Sequence, residues 1–355
     1  MMQKIFKRLG NHQGAGRLGG LLIVGGIFTV VFVGLVITVI YLSKREKEKV
    51  QGEKKETKAT ILLTVAVDSQ KVTDVLFDTA LKKEFFSQES LQVKDVRKAS
   101  SQEALDSLEK GEAQVALIDV APLLDKGGGY RLVAPIGHLL LWGVTKNERV
   151  AEEAKDLASL SAYPLLSDAR EGEENRILLD GLAHQAHATI RYDQVDHQEF
   201  FRLKQPPEIL LTAEPGISQG LKYGGKVCFR ITPAALGLPS SPPTRCLAAK
   251  LSYLQGKEGE EATLRLRAAL KKASDLIYTN PMGILNDVLY NVYFGQYDLE
   301  VLAEVIQRLV QEKAIPREME VSSPLFMQLA RAQLKAQGKD GAQAEGLASQ
   351  ILWKG

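Results

Sequence analysis

Cysteine is scarce in this chain, with only Cys228 and Cys246 among 355 residues. Two thiols exclude a cysteine-rich metal cluster and a disulfide-stapled scaffold. They lie 18 positions apart, and two readings stay open: a bridge formed outside the cytoplasm, or two small buried hydrophobes. Charge of one sign is missing too. Lys and Arg number 45 against 43 Asp and Glu, so no concentrated basic face points to nucleic acid. There is no G-x-S-x-G elbow, P-loop or dinucleotide fingerprint, and Gly127-Gly128-Gly129 follows Lys126 in a turn not placed to cradle phosphate. His184 and His187 have helical i, i+3 spacing with Asp193, Asp196 and His197 nearby, but no Glu stands between them. Neither enzymatic activity, a cofactor nor a metal is expected.

What the chain does have is one long apolar run. Residues 18–43 hold no charge over 26 positions. At about 1.5 Å per residue, such a helix outlasts a bilayer core of about 30 Å. A cleavable signal has a shorter apolar region and an A-x-A-like site, which does not follow here. The run is expected to be a retained signal anchor, a single transmembrane helix behind a tail of residues 1–17. Four basic residues precede it (Lys4, Lys7, Arg8, Arg17) and seven follow by Lys58. Taken literally, the positive-inside rule would leave the main domain cytoplasmic, and the flanks alone do not settle the side.

Residues 44–59 are a charged spacer with one core-forming hydrophobe, Val50. From residue 60 the pattern alternates between strand and helix. ILLTVAV (61–67), LQVKDV (91–96) and AQVALID (113–119) read as strands. Between them run a helix carrying Val72, Val75, Leu76 and Leu81, and a second opened by Ser100 as N-cap with Glu103 at N3 and stopped by Gly111. This order implies a parallel sheet covered by helices. RLVAPI (131–136) and HLLLWGVT (138–145) continue the strands. A second αβ region follows: strands at 162–168, 188–195 and 206–214, a helix at 173–186, and returning strands at 226–231 and 245–254. The C-terminal third is helical, with Leu266, Ala269/Leu270, Ala273 and Leu276/Ile277 marking one helix.

The ordered segments LKKEFFSQESLQVKDV (81–96), SSQEALDSLEKGEAQVALIDVAPLL (100–124), YRLVAPIG (130–137), PEILLTAEPGISQGLKYGGK (207–226) and 245–281 resemble the type 2 periplasmic solute-binding proteins. The likeness is to their nitrate/sulfonate/taurine and thiamine-precursor branch. Gln114 stands where the family usually has Asp, no lipid-accepting Cys follows the anchor, and the run that opens lobe two is reduced to Asp156-Leu157. The resemblance implies an α/β fold of two lobes around a cleft. Lobe 1 would be 60–140 and 255–340, lobe 2 145–250, with a helical tail at 341–355. It also implies a small-molecule ligand, an ABC permease or other membrane-complex subunit as partner, and a soluble domain on the extracytoplasmic side of the cell membrane. The other reading is a non-transport interaction or scaffold component that keeps the fold with a degenerate cleft. The catalytic Cys-rich run of the thiamine-pyrimidine synthases that share the fold is absent.

Loops after strands face such a cleft. The candidate ligand residues are therefore Asp68, Ser69, Ser100, Ser101, Asp119, His138, Ser167, Arg170 and Glu214. Capping already accounts for Ser100, Asp119 also suits a helix N-cap before Pro122, and His138 also suits a structural role. Asp168, Glu171, Glu173 and Glu174 crowd the helix start beside Arg170 and Arg176. A simple anion is disfavoured there unless Arg170 points inward.

Overall fold

Two five-stranded sheets carry the polypeptide in the computed structural model, which describes residues 59–68, 71–155, 159–168, 189–195, 197–203, 208–293, 297–336 and 342–353. The expected span 18–43, the spacer up to residue 58, Ser69, Arg170, the 173–186 helix and the His184/His187 pair lie outside the described residues. Among the described residues no helix is long and apolar enough to cross a membrane.

The first sheet has the order β2 (Leu91–Arg97), β1 (Ile61–Val67), β3 (Val115–Asp119), β10 (Pro243–Lys250), β4 (Tyr130–His138). β2, β1 and β3 are parallel, and β10 inserts antiparallel between β3 and β4. Helices cover both faces, so a central strand reads as continuously apolar; every residue of β3 is buried. Edge strand β2 keeps Gln92 and Lys94 at least partly in solvent.

The second sheet has the order β7 (Ile190–Val195), β6 (Leu165–Asp168), β8 (Ile209–Thr212), β5 (Trp142–Thr145), β9 (Lys226–Arg230). Here β5 is the antiparallel insertion. Residues 245–250, expected among the returning strands of the second lobe, instead stand in the first sheet, and Leu251–Leu254 turn helical. The chain thus crosses between the sheets twice, at 138–142 and at 230–243. The crossings bond to one another, Leu139 N to Pro242 O at 3.0 Å and Ile231 N to Leu141 O at 3.0 Å.

Among the helices, α1 (Val75–Lys82), α2 (Phe85–Gln88), α3 (Ser101–Glu109) and α4 (Val120–Lys126) belong to the first sheet. α5 (Glu148–Glu153), α6 (His197–Arg202) and α7 (Gly216–Lys222) belong to the second. After α8 (Leu251–Leu254) come α9 (Lys257–Thr279), helical turns over 281–293, α10 (Leu299–Gln311), α11 (Ser323–Ala336) and α12 (Gln343–Ile351). α9 buries Leu266, Ala269, Leu270, Ala273 and Ile277 against α1, the stripe expected from its 3.6-residue period. α10 buries Val301, Leu302, Val305, Ile306 and Leu309 and packs on α7, bridging to the second sheet. The tail docks on the first sheet through a bridge between Leu132 and Leu352.

Asp78 lies inside this packing at 3% exposure. Burial, reinforced by Asp74, raises its carboxyl to about 7 although Arg97 pulls the other way. The folded chain therefore keeps a proton that the unfolded chain releases near pH 3.8. The contribution of this group to stability falls as pH rises from about 4 to about 7 and is level above, by up to ~4 kcal/mol. Asp78→Asn is expected to raise the melting midpoint, with a larger gain at pH 8 than at pH 5. Thermal unfolding across that range checks it; a gain independent of pH would refute it.

Candidate functional site

The carboxyl edge of the first sheet gathers four charged side chains around one guanidinium. Asp68 follows the last residue of β1, Asp119 ends β3, and Asp74 sits in the helical turn 72–74 that leads into α1. Arg245 enters from β10, in register with Asp119. Its side chain is fully buried. Arg245 Nε donates to Asp74 Oδ1 at 2.5 Å, Nη2 to Asp74 Oδ2 at 2.9 Å, and Nη1 to Asp119 Oδ1 at 2.9 Å; Nη2 also reaches Asp68. Lys71 Nζ grips both oxygens of Asp119, at 2.9 and 2.8 Å. Ser101, in the first turn of α3, donates to Asp68 and accepts from Asp119 N at 3.1 Å. A Cβ on Gly137 would fall 2.6 Å from Thr73 Cβ, so only glycine lets β4 pass this turn so closely.

Three carboxylates face two cations, a formal charge of −1 in a dry setting. Burial alone would lower Arg245, but Asp74, Asp68 and Asp119 hold it charged. Burial works against ionised Asp119, yet Lys71 and Arg245 prevail and its carboxyl is lowered. For Asp68 burial prevails over Arg245 and its carboxyl is raised. Of these two carboxyls, Asp68 therefore holds a proton more readily than Asp119.

A second arrangement lies at the carboxyl end of β8. Glu214, 1% exposed, accepts from Ser218 N at 3.0 Å, from Ser218 Oγ at 2.8 Å and from Arg308 Nε of α10 at 2.5 Å. Burial raises its carboxyl against the pull of Arg308. The Glu214–Pro215 peptide is cis. Buried Trp142 has Arg230 4.1 Å and Arg308 4.7 Å from its ring centroid. Arg230 also pairs with Glu312 at 3.0 Å, and Lys222 with Asp298.

Of the expected site residues, the structure brings Asp68, Ser101 and Asp119 together. Ser100 beside them caps α3, accepting from Glu103 N at 3.2 Å, while Glu103 accepts from Ala99 N at 3.1 Å. Asp119 occupies the N-cap position of α4 without a side-chain capping bond, because its carboxylate is committed to Lys71 and Arg245. His138 is half-buried at the end of β4, its Nδ1 3.3 Å from Lys313 O. Burial pushes its imidazole down to about 4, so it is neutral at pH 7. Ser167 is buried in β6 opposite Leu211. Arg245, Asp74, Lys71 and Arg308 escaped the sequence reading. The available signal was a lone Arg in an otherwise apolar strand. Both cysteines are free and buried, and burial raises their thiols, Cys228 to about 12.

No protein-family model matches the chain, and no curated protein matches its sequence. Solved structures do share its architecture. A protein from Bordetella bronchiseptica RB50 is 17% identical with a TM-score of 0.65, the match covering 83% of this chain and 95% of that one. The periplasmic nitrate-binding protein NrtA from Synechocystis PCC 6803 is 12% identical with a TM-score of 0.60, over 82% and 86%. The ligand-binding component of an ABC-type import system from Staphylococcus aureus, determined with zinc bound, is 14% identical with a TM-score of 0.58, over 83% and 97%. The described chain has the two-sheet α/β fold of type 2 periplasmic solute-binding proteins.

Removing one partner from a buried ionic cluster leaves uncompensated charge and costs about 3–5 kcal/mol. Arg245→Met is expected to lower stability by that order. The loss should shrink as pH falls, because Asp68, whose carboxyl burial already raises, can then fold protonated. Denaturant unfolding at pH 5 and pH 8 measures this, and an equal loss at both values would count against the charge explanation.

Proposed function

We propose that this chain is a solute-binding protein, held at the cell membrane by residues 18–43, that takes a small ligand between its two lobes. The first lobe would comprise residues 60–140 and 255–340 with β10 added, and the second the rest of 145–250. The lobes close on the ligand, which is delivered to an ABC permease or reported to a membrane partner from the extracytoplasmic side. One observation carries this reading: the carboxyl ends of β1 and β3 and the N-terminus of α3 meet at an edge beside two interlobe crossings. Open α/β sheets bind ligands at such an edge. The nitrate-binding protein and ABC import component among the structural neighbours support it.

The charges at that edge narrow the ligand class. Arg245 and Lys71 already pair with carboxylates, and the cluster is formally negative. Nitrate or a sulfonate would find neither cation uncommitted to an acid there. The ligand is therefore a neutral polar or cationic molecule.

A second reading has its own support. α10 is pinned to the second sheet by the buried Arg308–Glu214 pair and by Glu312 with Arg230. Those pairs oppose opening of the lobes, as a non-transport component of a membrane complex with a degenerate cleft would require. Thermal shift of the purified full-length chain separates the two. Nitrate, taurine, pyrimidines, neutral amino acids and polyamines make the panel, and a ligand at 100 times its Kd adds about 2.7 kcal/mol. A saturable rise with a neutral or cationic compound is expected. A rise with nitrate or taurine alone would overturn the ligand class, and no rise with any compound would leave the interaction role in its place.

A further inference from the structure

A groove of about 670 Å³ opens beside the crossings, and none of the residues of the Asp68–Asp119–Arg245 cluster lines it. Its volume falls within the range of small-molecule sites, about 300–1,000 Å³. His138 and Pro243 form one side, and they are register partners where both crossings meet the first sheet. The segment from Glu312 to Arg317, strapped across α9, lines the groove as well. Tyr278 OH donates to Ile315 O at 2.8 Å, Ser274 Oγ to Pro316 O at 2.7 Å, and Lys271 Nζ to Arg317 O at 3.1 Å. His138 N fastens the strap from the other side, donating to Ala314 O at 2.8 Å. These bonds order the groove before any ligand arrives.

Charge there is unevenly used. Each acid at the groove has a cation: Glu312 has Arg230 at 3.0 Å, Glu320 has Arg267 at 3.5 Å, and Glu318 has Lys271 at 3.9 Å. Lys313 and Arg317 have no carboxylate partner among the described residues. The Arg317 guanidinium sits over Tyr278, 4.0 Å from the ring centroid. A guanidinium held against an aromatic face is oriented with its N–H edge available to a carboxylate. Pro233, Pro243, Val321 and Leu325 supply apolar walls, and Ser240 and Ser241 supply hydroxyls.

We propose that this groove is a second ligand site, distinct from the interlobe edge, for a small amphiphilic anion with a carboxylate on an aromatic or aliphatic body. Arg317 and Lys313 take the carboxylate, and the body lies against Pro243 and Leu325. The site does not depend on what, if anything, binds between the lobes.

The test uses the full-length chain with phenylacetate and octanoate as probes and phenylacetamide as the neutral control, read by titration calorimetry. Lys313 has a φ of 56°, so Lys313→Asn removes the charge with a residue that tolerates this backbone. In the Lys313→Asn, Arg317→Gln double variant the Kd of either acid is expected to rise tenfold or more with an unchanged melting midpoint. Amide exchange in the parent protein is expected to slow over 312–325 when an acid binds. Phenylacetamide binding as tightly as phenylacetate would overturn the assignment. So would no binding of either acid at about 10 mM, well above the 1 mM that corresponds to −4.1 kcal/mol, or protection confined to other segments.

Discussion

A guanidinium can be taken wholly out of water only where its charge and its N–H groups are matched, and Arg245 is matched by three carboxylates from three separate segments. Those segments are the end of β1, the turn into α1 and the end of β3. β10, which carries the arginine, arrives only after the chain has built the second sheet. The cluster therefore makes the first sheet conditional on the return crossing. Until 230–243 has crossed back, Asp68, Asp74 and Asp119 would crowd one edge with only Lys71 to offset them. The ionic match also fixes register, since a slip of one residue in β10 would turn Arg245 to the other face of the sheet.

The same logic of exchange appears in the second sheet. β5 inserts antiparallel among strands contributed from elsewhere, as β10 does in the first. Each sheet thus contains a central strand that enters by a crossing, and the crossings bond to each other. α10 adds a third tie through Arg308 and Glu214. Arg308 is held twice, by the carboxylate at 2.5 Å and by the face of Trp142 at 4.7 Å. A charge paired and stacked in this way loses less on leaving water than an isolated one, which is why Glu214 can be buried at all.

Much of the first sheet was legible because its signals are local. The apolar runs of β1 and β3, the alternation in β2 and the Ser100/Glu103 cap each act within a few residues. The periodic stripe of α9 was legible for the same reason. Asp68, Ser101 and Asp119 were found because strand ends are cleft positions in any α/β fold. Arg245 was not, because its partners lie 177, 171 and 126 positions away in sequence. Sheet membership of β10 failed to show for a related reason. Apolar content marks a strand, but its neighbours are chosen by the crossing that delivers it, and nothing within 243–250 encodes that choice. Arg308 was hidden differently, on the polar side of an amphipathic helix where a charge is ordinarily solvated.

Prior commitment of charge bears on how a ligand between the lobes would be read. At the first sheet both cations hold carboxylates; at the second, Arg308 holds Glu214 and Arg230 holds Glu312, both stacked on Trp142. Ion pairing with an incoming ligand at Arg245, Lys71 or Arg308 would require breaking a buried pair and leaving a charge behind in a dry site, at a cost of several kcal/mol. Hydrogen bonds to oriented peptide groups and hydroxyls carry no such penalty. A neutral ligand at this edge would therefore be selected by shape and hydrogen-bond pattern, and its affinity would respond little to salt. The groove beside the crossings is built on the opposite principle: among the described residues Lys313 and Arg317 have no acid, while Glu312, Glu318 and Glu320 are each matched. Uncompensated charge, not charge itself, is what separates a site that can bind an ion from one that has already bound its own.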